Sequence, residues 1–353
     1  MTIAWAAAIV TMFFVPISKD YVGYLNFSVL SVLFCLMAVV AGLLQTGVFD
    51  VLAQRLLSRS DSSRGVALLL VCACFFSDCL VIVSLSIVPF TLGILGAVEQ
   101  KQVVFVLTLE TVAANLGSML TPIGNPQNLY LYSFYQMTPR DFFRTVGPVC
   151  AAGFLILVAL VLRMPGGTMR IRFCEQARLR DKRLLLCCML LFFLSILTVL
   201  HRVDFRSSLA ITVVALLLLD KTIFCRVDYS LLLTFVAFFV FVGNLGRLPS
   251  IQTMISSLMT GREFLAGVLL SQLISNVPAA VMLSGFTDQA RALLLGVNVG
   301  GLGTLVASLA NLISFRLYAK SEHAQPGLFI RVFTAYNGLI LLLLIAVVWI
   351  LPQ

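Results

Sequence analysis

The chain has 353 residues, of which 60% are hydrophobic and 11% charged, and it carries a formal charge of +9. A soluble domain holds about a quarter charged residues, and the cations here sit between apolar runs, so neither a soluble enzyme nor a nucleic-acid binder fits. Outer-membrane barrels show short alternating segments, and none appear. An all-α integral membrane protein follows, with about 20 apolar residues per span.

Thr2 to Ile17 reads as a first span and not as a cleaved leader, because no basic residue precedes it. Leu25 to Val48 is the second, followed by a polar stretch with Arg55, Arg59 and Arg64. Val66 to Leu95 is long for one crossing at about 1.5 Å per residue and is interrupted by Ser77-Asp78, which suggests two arms of a re-entrant hairpin. Val103 to Tyr135 is broken by the polar string Asn115 to Asn128. Val146 to Leu162 leads into a basic run, Arg163 to Arg183. Spans follow at Leu184 to Leu200, Ser208 to Leu219 and Tyr229 to Leu245. Phe264 to Phe286 is a second candidate hairpin with Ser275-Asn276-Val277-Pro278 at its middle. Ala292 to Leu317 is a second broken segment, and Gly327 to Leu351 a last span.

With each hairpin returning to its own side, 16 of the 24 Lys and Arg fall on the cytoplasmic side, as the positive-inside rule expects for an inner (plasma) membrane protein. Treating either hairpin as a simple crossing inverts half of that tally. Arg64 and Lys101 are then cytoplasmic, and Arg262 and Arg291 external. The organisation is an N-terminal membrane repeat at 1–162, a basic loop at 163–183 and a C-terminal repeat at 184–353. The basic run reads as a cytoplasmic loop by that rule, with binding to acidic lipid headgroups as the alternative, and membrane lipid is the partner of the spans. The nine cysteines follow neither disulfide nor metal spacing, and no histidine lies beside them. No metal or cofactor is expected beyond a coupling ion.

Laid over one another at an offset of 183, Ala114–Leu129 and Val297–Leu312 share Asn115/Asn298, Gly117/Gly300, Thr121/Thr304, Asn128/Asn311 and Leu129/Leu312. Three of these pairs are polar at membrane depth. The order span, hairpin, broken helix therefore occurs twice, once from each side, which is an inverted repeat. Non-helical backbone survives in a bilayer only where it lines an enclosed cavity. Pro122 and Pro126 remove donors, and Gly117, Gly124 and Gly300 permit tight backbone. Freed carbonyls suit a cation, and half-helix N-termini suit an anion. The ion and substrate site is thus expected at Ser77, Asp78, Asn115, Gly117, Thr121, Gly124, Asn125, Asn128, Ser275, Asn276, Val277, Asn298, Gly300, Thr304 and Asn311.

Plainer readings stand beside this one. Gly124-Asn125-Pro126 and Ser275 to Pro278 are also ordinary turn sequences. Asp78 is either a functional carboxyl or a cap on the second hairpin arm. Glu110 is either functional or a resident of a polar groove. Asn337, outside the repeat motifs, is expected to matter far less than Asn276 and Asn298.

Ala114 to Asn128, with its Thr121-Pro-Ile-Gly-Asn-Pro-Gln-Asn128, resembles the first broken helix of the YbiR-like permeases. Ser271 to Pro278, Val297 to Gly301 and Ser308 to Leu312 resemble their second half. These belong to the ion transporter superfamily, with arsenite permeases, citrate transporters and divalent anion–sodium symporters. The resemblance implies an elevator-type fold of scaffold and transport units, often a homodimer, with substrate and coupling ion at the hairpin tips and broken-helix loops. Sodium-coupled relatives carry Ser-Asn-Thr where this chain has Ser275-Asn276-Val277. Their first tip is matched here by Cys79-Leu80-Val81, with Ser77-Asp78 nearby. The expected activity is secondary active transport of a small anion, carboxylate or inorganic oxyanion, coupled to H+ or to a Na+ bound at the same loops. Cation/proton antiport and arsenite efflux are the alternatives on the same fold. An enzyme would need a nucleophile–base set or a metal cluster, and the sequence holds neither.

Overall fold

A computed structural model describes residues 2–58, 60, 62–79, 88–89, 91–93, 99–167 and 176–350. Most of the second arm assigned to the first hairpin, with Leu80 and Val81 of its expected tip, lies outside those residues, as do Arg59, Arg170, Arg172 and Leu351. The described elements are α1 (Thr2–Phe14), α2 (Tyr21–Tyr24), α3 (Phe27–Gln45), α4 (Val48–Leu57), α5 (Ser63–Asp78), α6 (Gln100–Met119), α7 (Pro126–Phe134), α8 (Pro139–Leu162), α9 (Lys182–Val199) and α10 (Phe205–Leu219). A 3-10 turn (Lys221–Arg226) leads to α11 (Tyr229–Leu245), α12 (Pro249–Met259), α13 (Glu263–Ile274), α14 (Asn276–Ser284), α15 (Ala290–Val299), α16 (Leu309–Ala319) and α17 (Pro326–Ile350). Helices α3, α6, α8, α9 and α17 are long and apolar enough to cross a membrane. Leu155, Leu218 and Trp349 on outward faces stay exposed, as lipid contact demands.

The ends of these helices follow from local chemistry. Asn26, Ser62, Thr138, Asp181, Asp204 and Asp228 each accept a first-turn N–H of the helix they begin, which supplies one of the partners an α-helix start lacks. The bend between α11 and α12 is 103°, and α12 was not legible in the sequence.

Two packed groups emerge. In one, α3 packs on α9 and α10, and α1 on α11; Asn244 ties that pair by donating to Thr11 Oγ1 and Tyr21 Oη, both at 3.0 Å. In the other, α5, α6, α8, α13, α15 and α17 surround the broken segments. Gly117 of α6 abuts the Phe75 backbone of α5. Arg64, at the start of α5, donates to Met164 O at 2.9 Å, and Lys101, at the start of α6, lines a cleft with Arg163 and Met164. Both helices therefore begin at the end of the molecule where α8 finishes. Gly296 abuts Phe264, and Gly300 abuts Val268 and Ser271, so α13 and α15 also run side by side in one direction, with α14 as the returning arm. Their common starting end is opposite, because Arg291 of α15 pairs with Asp141, in the first turn of α8, at 2.9 Å.

Candidate functional site

The interruptions are shorter than the polar strings suggested. Asn115 remains in the last turns of α6, and the helix stops after Met119. Asn298 likewise stays in α15, which ends at Val299. Each chain restarts with an extended residue whose side chain caps the new helix. Asn125 Oδ1 accepts Asn128 N at 2.9 Å, and Ser308 Oγ accepts Asn311 N at 3.2 Å. Pro126, at the first position of α7, loses nothing by lacking an N–H there.

The asparagines hold both interruptions together. Asn115 Nδ2 donates to Thr111 O at 3.2 Å and to Asn311 Oδ1 at 2.7 Å. Asn298 Nδ2 donates to Leu294 O at 2.8 Å and to Asn128 Oδ1 at 2.6 Å. Asn128 Nδ2 gathers the carbonyls of Ser118, Met119 and Thr121 at 3.2, 3.1 and 3.0 Å, and Asn311 Nδ2 those of Gly301 and Thr304 at 3.0 and 2.9 Å. Thr121 Oγ1 donates to Cys79 O, and Thr304 Oγ1 to Gln272 O. Save for the Met119 carbonyl, the two schemes correspond atom for atom at the offset of 183 within the broken segments. These bonds satisfy carbonyls that no helix completes.

A cavity of ≈260 Å³ lies between the two helix groups. Asp78, Asn115, Asn125, Asn276 and Val277 line it, with Ser118, Gln127 and Ser308. Leu33, Leu36, Met37, Val40, Ala41 and Leu44 of α3 form the facing wall, and Arg226 and Asp228 complete the lining. Helices α7, α14 and α16 present their first residues to it through Pro126, Gln127, Asn276, Val277, Leu309 and Ala310. First-turn N–H groups have no partner within their own helix, so three partial positive charges converge on this space.

The remaining expected residues lie around the cavity and not in its lining. Asn128, Asn298 and Asn311 are buried in the network just described. Gly117, Gly124 and Gly300 sit where a Cβ would meet neighbouring backbone. Ser77 donates back to Ala73 O at 2.6 Å. Ser275 makes the break before α14, with φ at 80°, and donates to Ala307 O at 3.4 Å. Glu110 is buried in α6, where Oε1 accepts the Thr91 hydroxyl at 2.7 Å. Among the described residues, no three His, Cys, Asp or Glu cluster to hold a metal.

Several contributors escaped the sequence reading. Ser308 was within reach of the repeat, since Asn125 lies 183 positions before it. Arg226 was counted only as a loop charge, and its approach to the cavity is a tertiary fact with no local signal. Asn337 is fully buried and its Oδ1 accepts Gly303 N at 3.3 Å. It therefore touches the second interruption, although it lies outside the repeat motifs. Gln272 serves the same loop: Nε2 donates to Gly300 O and Leu302 O at 2.7 and 2.9 Å, and Oε1 accepts Thr304 N at 2.9 Å.

The family profile described as citrate transporter matches residues 1–290 of this chain. The chain belongs to the citrate transporter family. It is similar to inner membrane protein YbiR of Escherichia coli (strain K12), 31% identical over 316 residues that cover 86% of this chain and 84% of that one. An uncharacterized transporter of Methanocaldococcus jannaschii is 32% identical over 85% of this chain and 83% of its own. A silicon efflux transporter of Oryza sativa subsp. japonica is 30% identical over 45% of this chain and 33% of its own. The resemblance to the YbiR-like permeases and the ion transporter superfamily thus holds. This member of the citrate transporter family is a multi-pass membrane transporter and not an enzyme.

Proposed function

We propose that this transporter carries a small anion, a carboxylate or an inorganic oxyanion, across the inner membrane. The observation that carries the reading is the convergence of three helix N-termini, those of α7, α14 and α16, on one cavity whose polar lining is Asn115, Ser118, Asn125, Gln127, Asn276 and Ser308 with Asp78, Arg226 and Asp228. Oriented N–H groups favour negative charge, amides cost less to bury than ions, and Arg226 adds a cation to a lining that also holds Asp78 and Asp228.

The transport cycle we propose is an elevator. The re-entrant hairpins and broken helices of two inverted repeats form a transport unit that slides against a scaffold built around α3, α9, α10 and α11, in a homodimer. The matching hydrogen-bond schemes at offset 183 support the repeat, and the opposite starting ends of α6 and α15 support its inversion. The parallel course of α13 and α15, joined by α14, supports the second hairpin. Coupling is to H+ in preference to Na+, because Asp78 lines the cavity while Val277 stands where sodium-coupled relatives have a hydroxyl.

Purified protein screened by thermal shift against citrate, dicarboxylates, sulfate, phosphate, arsenite and silicate, with and without sodium, tests the substrate class. Silicate is included because one relative is named a silicon efflux transporter. A ligand of the native state alone raises the apparent melting temperature. Stabilisation by one or more anions is expected. Stabilisation by sodium alone, with no response to any anion, would overturn the reading. Uptake into proteoliposomes under imposed gradients tests the coupling, and a strict sodium requirement without a pH-gradient response rules out the proton.

A further inference from the structure

We infer that the cavity selects anions that also carry a hydroxyl or other O–H donor, and that Asn115 Oδ1 is the atom that reads it. The inference rests on the anion reading above and narrows it. Its basis is the orientation of the asparagine amides, which the surrounding carbonyls leave no freedom to choose. Asn311 Nδ2 must face Gly301 O and Thr304 O, so Asn311 Oδ1 points at Asn115. Asn115 Nδ2 must then face both Asn311 Oδ1 and Thr111 O, since a flip would set oxygen against oxygen. That leaves Asn115 Oδ1 as an acceptor.

The same logic fixes Asn298 in the other half, with a different outcome. Asn298 Oδ1 accepts Asn125 Nδ2 at 3.2 Å. The residue equivalent to Asn125 beside Asn115 is Ser308. The two have nearly identical backbone, φ −149° and ψ 158° for Asn125 against −144° and 157° for Ser308. Both cap the following helix, but the serine has no amide to extend further. Asn115 Oδ1 consequently receives no hydrogen bond among the described residues, although Asn115 is only 9% exposed and lines the cavity. One exchange of side chain in a repeated scheme thus opens a carbonyl oxygen into the substrate space.

An open amide oxygen in a cavity that Asp78 also lines repels a bare anion and attracts one that presents a hydrogen. The anionic end of the cargo meets the N–H groups at the starts of α7, α14 and α16, and its O–H meets Asn115. A cargo without the O–H leaves the buried acceptor unmet, and sites built to pair a substrate hydroxyl reject the analogue lacking it.

The test compares charge-matched pairs on purified protein: malate against succinate, and hydrogen phosphate against sulfate near pH 8, where both members are doubly charged. Affinity is read from thermal shift or competition. We expect the O–H member of at least one pair to bind about tenfold tighter or better. Ser308→Asn restores the missing donor, because its amide is placed as that of Asn125 is, while its oxygen keeps the cap on α16. This variant is expected to fold, to bind anions more weakly overall and to lose the preference for the O–H member. Equal binding within every pair by the wild type overturns the inference and leaves the anion reading standing. A preference that persists undiminished in Ser308→Asn overturns the assignment to Asn115. Absence of binding by all four anions overturns the inference, and absence of binding across the wider anion screen overturns the anion reading with it.

Discussion

Asn115 and Asn311 meet at 2.7 Å, Nδ2 to Oδ1, and Asn298 repeats the contact to Asn128 at 2.6 Å. The first member of each pair lies on the helix before one interruption, and the second on the helix after the other. Neither interruption is therefore closed by its own residues alone. Opening one removes a partner from the other, and this reciprocity decides what substitutions here do.

Asparagine substitutions separate by position. Asn298→Asp and Asn311→Asp replace an NH₂ that serves carbonyl oxygens with a carboxylate oxygen that repels them. Each leaves buried acceptors unpaired at about 1–3 kcal/mol apiece, so low yield and a melting temperature several degrees down are expected in size-exclusion and thermal assays. Asn276→Asp, at the cavity, is expected to keep a near-normal melting temperature and to lose anion binding through charge repulsion. Normal folding of Asn298→Asp would show that the network contributes little.

Asn337→Leu preserves volume and removes the acceptor for Gly303 N. Gly303 holds φ at 99°, so its loop depends on external bonds. A stability loss of about 1–3 kcal/mol and slowed uptake are expected. Wild-type values for both would return Asn337 to an inert place in the last span.

Two pairs of glycines test the close helix approaches. A Cβ on Gly117 would collide with the Phe75 backbone, and one on Gly300 with Val268 and Ser271. Alanine at either is expected to destabilise by about 1–3 kcal/mol. Gly147 in α8 and Gly338 in α17 have nothing within 4 Å of that position. Alanine there is expected to be neutral, or stabilising by up to about 1 kcal/mol. Chemical denaturation in detergent ranks the four.

Single cysteines replacing Arg64, Lys101 and Arg291, on a background cleared of native cysteines, report topology through an impermeant thiol reagent. The first two are expected to label together and the third from the opposite side. Labelling of Arg64 and Lys101 positions from opposite sides would remove the return of the chain between α5 and α6.

Much of this was legible beforehand because the signals are local. Pro126 and the capping Asn125 mark where α7 must start, Ser275 to Pro278 marks the break before α14, and the asparagine pairs announce themselves by their fixed offset. The sequence does not say which way an asparagine points. Asn128 and Asn311 looked like site residues but spend their amides on backbone carbonyls, while Ser308 and Gln127 face the cavity. Ser77 drew notice beside Asp78, yet its hydroxyl bonds within its own helix. Arg226, Gln272 and Asn337 owe their places to helices distant in sequence, and no periodicity encodes such contacts.

The wall that α3 contributes to the cavity consists of methyl, methylene and thioether groups from Leu33 to Leu44. Such a surface makes no directional bond with what lies against it. Each apolar contact is worth only about 0.1–0.2 kcal/mol, whereas every hydrogen bond released along a path is a step of about 1 kcal/mol. A hydrated ion or a polar helix end travelling along α3 therefore meets a smooth energy profile, with fine ripples set by packing and no detents where it would catch. On the proposed elevator, resistance on this side is viscous, not sticky, and the polar holds come from other parts of the lining, Arg226 and Asp228 among them.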